Sequence, residues 1–347
     1  MDGTPMANLS NSEHEIQDEF QIRTYNSGDE NIILETFNHV FKTQRTMEHW
    51  KWKYLNNPYG QTWISTIWYQ DKVVAQYAGY PVYLYVQGKK QLSCQAADAF
   101  TVSSYRKVGH GATSLMSRAF HHYEQMFCET QTAFGYGFNV NKIQRLGKMF
   151  WQHTVPAPVY QRTLGEFQIS QYRKIRTWFS RLKGYNVIKT TQANEWADQV
   201  FEKVKDDYGW LLIREQKYLK WRYEQHPDFK HDFFVVYFWG KPVGWIVGRL
   251  DNQRWLLGDA LFEPKYAYIA LQLALNKLFN EYPQIQQIDS WCSEVPLWWN
   301  ELLDKLGFIK QRQFQNLDLV VRFYLSKITP EELAQKFYFT WGDSDLY

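Results

Sequence analysis

Ala97-Asp98-Ala99-Phe100-Thr101-Val102-Ser103-Ser104-Tyr105-Arg106-Lys107-Val108-Gly109-His110-Gly111-Ala112 reads as a strand, a glycine-bearing turn and a helix start in immediate succession. Gly109 and Gly111 stand where backbone must approach a ligand closely, and the first amides of a helix point unpaired N–H groups at an anion. The stretch therefore predicts a phosphate-binding loop with Arg106 beside it. Gln91–Val102 supplies the strand. Gly111–Tyr123 places Ala112, Leu115, Met116, Ala119, Phe120 and Tyr123 on one helical face, which must lie on a sheet. Upstream, helices are expected over Ile32–Phe41 and Met47–Leu55. Strands over Thr62–Tyr69 and Val73–Val86 follow, joined by the turn Gln70-Asp71-Lys72. Downstream come a strand, Ala133–Phe138, and a helix, Asn141–Met149.

The pattern repeats. Trp52-Lys53-Tyr54 with Pro58 and Trp221-Arg222-Tyr223 with Pro227 are offset by 169 residues, and Asp71-Lys72-Val73 meets Gly240-Lys241-Pro242 at the same offset. The second copy runs through helices (Ala193–Val204, Gln216–Gln225), strands (Asp232–Trp239, Val243–Leu250, Trp255–Phe262), a helix (Tyr266–Glu281), a strand (Ile285–Cys292) and a helix (Leu297–Leu306). The organisation expected is an acidic, disordered tail over 1–19, a lobe over 20–151, a basic linker over 152–190, a second lobe over 191–325 and a C-terminal extension over 326–347. The linker carries Arg162, Arg173, Lys174, Arg176, Arg181, Lys183 and Lys189 against Glu166.

Composition fits this reading. The 347 residues are 45% hydrophobic and 22% charged, which is globular rather than fibrous or disordered. A net charge of +3 is too small for a protein that neutralises many phosphates along duplex nucleic acid. Cys94, Cys128 and Cys292 match no zinc or disulfide spacing, which points to a reducing compartment. No segment reads as a signal peptide or membrane span, so a cytoplasmic location is expected. No His/Cys/Asp cluster at metal-ligand spacing, Gly-x-Ser-x-Gly elbow or Walker loop is present, which sets aside metalloenzyme, hydrolase and kinase readings.

The Arg106-x-x-Gly109-x-Gly111 loop between strand and helix resembles the acyl-CoA motif of the GCN5-related N-acetyltransferase (GNAT) superfamily, which has double-lobed members. Residues 133–150 and 296–308 resemble it more weakly. The resemblance implies an α/β (α+β) fold of two GNAT-like lobes, each a mixed, mostly antiparallel twisted sheet flanked by helices. It implies an N-acyltransferase that moves an acyl group from a CoA thioester to a primary amine by direct attack in a ternary complex, with acyl-CoA as donor and no metal. The amides of Lys107, Val108, Gly109, His110, Gly111 and Ala112 would then hold the CoA pyrophosphate beside Arg106. The backbone of Phe100, Thr101 and Val102 would run along pantetheine and acyl groups, with Asn139 and Asn141 also on the cofactor side.

The loop departs from the family at Lys107 and Val108, where glycines are usual, and at Ser104, where proline is frequent. The second copy has Phe262-Glu263-Pro264-Lys265-Tyr266-Ala267 in place of the glycine loop. Pro264 removes an amide donor, so that lobe is not expected to bind CoA. Leu303 and Arg145 occupy the positions where many members place a Tyr acid. Asp98 and Tyr136 are the catalytic candidates: Asp98 to orient the amine or relay its proton, Tyr136 to meet pantetheine or the leaving thiolate. Each has an equally good structural role. His110 is expected to face phosphate or solvent, and His121 and His122 lie on or beside the polar face three turns away, so none is read as the base, while the cysteines lack an activating neighbour in sequence.

For the acceptor, 16 Trp and 24 Tyr suit stacking on base and sugar, as in a nucleotide-linked amino sugar. A peptide amine, aminoacyl or peptidyl transfer of the peptidoglycan-bridge type, and a non-catalytic degenerate scaffold are the rival readings.

Overall fold

The computed structural model describes residues 19–60, 62–174 and 184–347. The expected acidic tail, apart from Glu19, lies outside them, as do Arg176, Arg181 and Lys183 of the basic stretch.

The first half runs β1 (Phe20–Thr24), α1 (Glu30–Phe41), α2 (Met47–Tyr54), β2 (Trp63–Tyr69), β3 (Lys72–Val86), β4 (Lys89–Thr101), α3 (Leu115–Tyr123), β5 (Phe134–Asn139) and α4 (Asn141–Phe150). Then come β6 (Thr154–Pro158), β7 (Tyr160–Leu164), α5 (Glu166–Arg173) and β8 (Tyr185–Thr190). The second half follows with α6 (Trp196–Val204), β9 (Trp210–Leu212), α7 (Gln216–Leu219), β10 (Asp232–Phe238), β11 (Lys241–Asp251), β12 (Arg254–Phe262), α8 (Pro264–Glu281) and β13 (Gln287–Cys292). The chain closes with α9 (Leu297–Lys305), β14 (Ile309–Arg312), β15 (Asp318–Phe323), α10 (Pro330–Lys336) and β16 (Phe337–Tyr338).

Two sheets result, ordered β1-β2-β3-β4-β5-β15-β6 and β14-β7-β13-β12-β11-β10-β8, with β9 and β16 attached to the first at β3. Within each sheet the strands are mostly antiparallel. The β3–β4 hairpin turns on Gln87 and Gly88, both at positive φ, the turn chemistry that matches right-handed strand twist. β3 is buried along nearly its whole length, because helices cover one face and the rest of the molecule the other. β4 and β5 pair in parallel only at Cys94↔Gly135 and Gln95↔Tyr136, and then diverge.

The halves exchange strands. β15 lies between β5 and β6 in the first sheet, while β7 lies between β13 and β14 in the second. Residues 154–164, read from sequence as linker, are therefore two strands, one in each sheet. Pro156, Pro158 and the polar side chains of these half-buried segments hid the alternation that marks a strand. The extension after 325 also packs into the body through α10, β16 and the buried Gly342-Asp343-Ser344. One helix begins later than its periodicity suggests: Gly111–Thr113 is a 3₁₀ turn, and α3 starts at Leu115 behind Ser114, whose hydroxyl accepts from the Ser117 amide.

The 169-residue repeat has a counterpart in space. Trp52 Nε1 donates to the Trp221 carbonyl at 2.7 Å and Trp221 Nε1 to the Trp52 carbonyl at 2.8 Å, with the two indoles stacked at 5.2 Å and 18°. A reciprocal contact of this kind marks a pseudo-twofold axis between the repeats. Arg45 pairs with Asp98, and Arg214, 169 residues after Arg45, pairs with Asp259. The C-terminal segment threads this junction, giving Asp345 to Lys53 in one cluster and Asp343 to Arg214 in the other.

Candidate active site

A groove of about 400 Å³ opens on one side of the first sheet. Its floor is Ala99–Thr101 at the end of β4. Its walls are the loop from Tyr105 to Gly111, the start of α3, Phe41 of α1 and the segment carrying Leu146, Phe150 and Trp151.

The loop's shape follows from its glycines. Gly109 has φ +65° and Gly111 φ +57°. A Cβ on Gly109 would lie 2.3 Å from the Thr113 carbonyl oxygen, and one on Gly111 would lie 2.8 Å from the Phe150 ring. Of the six amides expected to face an anion, two are used internally: Val108 donates to the Tyr105 carbonyl and His110 to Thr113 Oγ1, both at 3.1 Å. The amides of Lys107, Gly109, Gly111 and Ala112 have no partner among the described residues. Arg106 is exposed, and its Nε donates to the Thr101 carbonyl at 3.2 Å, so its guanidinium is anchored where loop and strand meet. This is a cluster of N–H donors beside a cation, the arrangement that binds phosphate oxygens.

Thr101 and Phe100 border the groove, but the Phe100 ring turns away into the α1 layer against Phe37 and Phe41. The Val102 amide is committed to the Val74 carbonyl at 2.8 Å, so Val102 extends the sheet. Beyond the last β4–β5 pair, Ala96, Tyr136, Gly137 and Asn139 line a narrow slot of about 20 Å³, closed by Phe120 and His153. The Asn139 carbonyl accepts from Gln144 Nε2 at 2.6 Å. Asn141 opens α4, and its side chain lies outside the described residues.

The catalytic candidates are held tightly. Asp98 is buried, with Lys53 Nζ at 3.0 Å, the Tyr54 hydroxyl at 2.7 Å and Arg45 reaching both oxygens. Burial alone would raise this carboxyl, but Lys53 and Arg45, with the hydrogen bonds from Arg45 and Tyr54, hold it well below the usual carboxylate range. A carboxylate so stabilised is a poor proton acceptor. The Tyr136 hydroxyl sits in the core, 3.3 Å from the Asp343 carbonyl and 3.4 Å from Gln95 Oε1, and burial drives its pKa up. His110 is exposed on the loop. His122 faces Ser65 Oγ at 2.8 Å and His121 faces Glu124 at 3.2 Å, both away from the groove.

Lys53 and Tyr54 entered the sequence reading only as repeat markers, and Arg45 and Asp345 not at all. Arg45, Lys53 and Tyr54 join Asp98 across separations of 53, 45 and 44 residues, and Asp345 joins Lys53 from the far end of the chain, contacts for which a single sequence carries no signal. His153 was missed as well. Burial and Arg322 lower it to about 4, which keeps it neutral at the slot. In the second half Pro264 opens α8 directly, leaving no equivalent loop, and Asp259 is sealed against Arg214. Among the described residues no helix is long and apolar enough to cross a membrane, and no group of three metal-ligating side chains converges.

Residues 21–151 match the acetyltransferase (GNAT) domain family model. No curated protein matches the sequence. Among solved structures, a probable N-acyltransferase from Enterococcus faecalis superposes with a TM-score of 0.65 at 12% identity, over 91% of this chain and 73% of that one. A GCN5-related N-acetyltransferase from Anabaena variabilis gives 0.64 at 12% identity, over 88% and 72%. Saccharomyces cerevisiae N-myristoyltransferase with bound myristoyl-CoA gives 0.55 at 14%, over 97% and 86%. At these identities the structural likeness speaks for the fold, and the domain match speaks for residues 21–151. Residues 21–151 thus match a GNAT acetyltransferase domain, and the chain as a whole has the fold of two interlocked GNAT-like lobes.

Proposed function

We propose that the chain binds an acyl-CoA with its pyrophosphate on the 107–112 loop and its pantetheine arm along the open edge of β4, and transfers the acyl group to a primary amine. The observation that carries this is the set of four unpartnered amides at Lys107, Gly109, Gly111 and Ala112, beside Arg106 and next to the β4–β5 divergence. In a ternary complex the amine nitrogen attacks the thioester carbon. The C–N bond forms, the C–S bond breaks, and the thiolate leaves with CoA and takes up a proton. Positioning of the two substrates and N–H donation to the developing oxyanion then supply the acceleration.

Asp98 serves this reaction as a positioning residue. Its clamp of Lys53, Arg45 and Tyr54 ties α2 to β4 at the bend where β4 leaves β5. Since that carboxylate is committed, the amine has to reach the site as free base. The rate should therefore rise with pH in proportion to the unprotonated fraction of the amine.

For the acceptor the chemistry supports a primary amine. The largest aromatic side chains, among them Trp50, Trp221, Trp245 and Trp255, fill the core rather than wall a cleft, so a nucleotide-linked amino sugar enters as one class in an amine screen. The test is calorimetric titration of CoA and acetyl-CoA into the wild type and into a Gly109→Asp, Gly111→Asp double variant shown to be folded. Binding that the variant loses supports the loop as the donor site. A folded wild type that binds neither ligand refutes it.

A further inference from the structure

Arg249, on β11, is half-buried yet makes no hydrogen bond and no ion pair among the described residues. Its Nε is buried without an acceptor. Its guanidinium carbon lies 3.8 Å from the Phe229 ring centre and 5.5 Å from that of Tyr347, so the planar group is held between aromatic rings. It borders a groove of about 450 Å³ shared with Asp228, Lys230, Asp232 and Tyr282. The acids there are committed elsewhere: Asp228 Oδ2 meets His49 Nδ1 at 2.5 Å, while Asp232 accepts from the Tyr282 hydroxyl and faces Lys189 Nζ at 3.5 Å. Lys230 is exposed and, like Arg249, has no acidic partner among the described residues.

A fixed fork of donors with a desolvated, unused N–H is costly unless something accepts from it. We propose that this groove is an oxyanion subsite, in which Arg249 takes a carboxylate or phosphate group in bidentate fashion with Lys230 at its rim. The groove adjoins the junction of the lobes. His49, which reaches across to Asp228, lies one turn of α2 before Lys53 of the Asp98 clamp. The inference rests on the acyl-transfer reading for one point alone, that the oxyanion belongs to the amine acceptor. Anion binding by Arg249 stands without it.

Inorganic phosphate and succinate are the probes, titrated separately by calorimetry into the full chain. Saturating CoA is added in one series, so that occupancy of the 107–112 loop cannot be mistaken for the new site. Wild type should bind at least one probe both with and without CoA, and the tighter one assigns the anion class. Arg249→Gln should weaken that binding roughly tenfold or more, the loss of a charge-assisted contact. Arg249→Lys should fall between, and all proteins should give the same circular dichroism. In wild type, the Arg249 Nε–H resonance should shift on titration. If neither probe binds wild type, or if binding survives Arg249→Gln unchanged, the proposal is wrong. CoA titration of the wild type reads the donor site on its own: no CoA binding with phosphate or succinate binding intact would refute the acyl-transfer reading and leave the subsite standing.

Discussion

Replacing Asp98 by Asn separates a positioning carboxylate from a chemical base. The substitution keeps the volume but removes the charge that two buried or half-buried cations share. Breaking a buried ion pair by deleting one partner costs about 3–5 kcal/mol, because the other charge stays uncompensated. Here the lower end applies. Lys53 keeps Asp345 at 2.5 Å, and the Arg45 guanidinium keeps its place 3.8 Å over Phe37 with 15% of its side chain in solvent. A loss of about 3 kcal/mol, at roughly 2 cal/mol/K of unfolding entropy per residue, lowers the melting temperature of 347 residues by about 4 °C if they unfold together. The deficit should depend on pH in one direction. The folded carboxyl is depressed below its unfolded value, so its stabilisation is complete above about pH 4 and disappears as pH falls through the folded pKa. Thermal melts of wild type and Asp98→Asn should therefore diverge above pH 4 and converge below it. In the acetyl-transfer assay, log kcat/KM against pH should keep a slope of one on its acid side in both proteins, set by the amine. The reasoning is refuted if Asp98→Asn melts like wild type yet loses about a thousandfold in kcat together with a titration step in the wild-type profile, since that is the signature of a general base.

Gly111→Ala puts a side chain at φ +57° against the Phe150 ring, costing about 1–2 kcal/mol in backbone strain; acetyl-CoA affinity should drop by about tenfold in calorimetry, and Phe150→Leu added to it should recover the steric share alone. Trp52→Phe or Trp221→Phe leaves the partner carbonyl without its donor, so each should lower urea-denaturation stability by about 2 kcal/mol, with the double variant losing less than the total because the two rings share one stack. His226 and His231 are lowered to about 2 and about 3, first by burial and then by Arg222. Folding therefore stays fully favoured above the unfolded histidine value and weakens as pH falls from about 6.5, by roughly 2 kcal/mol for each histidine at pH 5. A His226→Asn, His231→Asn variant should show a flatter stability profile between pH 6.5 and 4, and an unchanged slope would exclude these histidines as its source.

The sequence by itself determined what depends on neighbours along the chain. Gly109 and Gly111 announce a backbone conformation that other residues adopt only under strain, so the glycine turn between strand and helix, which we propose binds an anion, was readable from sixteen consecutive residues. The hydrophobic periods of α3, β2 and β3, and the reappearance of Trp-Lys/Arg-Tyr at a constant offset, similarly announced a repeated α/β unit. Local spacing has a limit, however. It placed the start of α3 at Gly111, because the apolar stripe extends through a turn that the glycine conformations and the Ser114 cap keep out of the helix.

Only the tertiary structure decided the rest, for one physical reason: strand pairing and ion pairing join groups by energies that depend on distance in space and leave no period in sequence. β7 and β15 are short and half-buried, and nothing in their composition tells which sheet they complete, so the exchange between lobes could not be seen. Asp98 reads equally well as a base or an anchor until Lys53, Arg45 and Tyr54 arrive around it. Arg249 is just another strand residue until Phe229 and Tyr347 close on it while Asp228 and Asp232 pair elsewhere. The loop was a local property and survived translation into three dimensions nearly intact, whereas the roles of the charged side chains around it are set by their partners, which folding alone brings together.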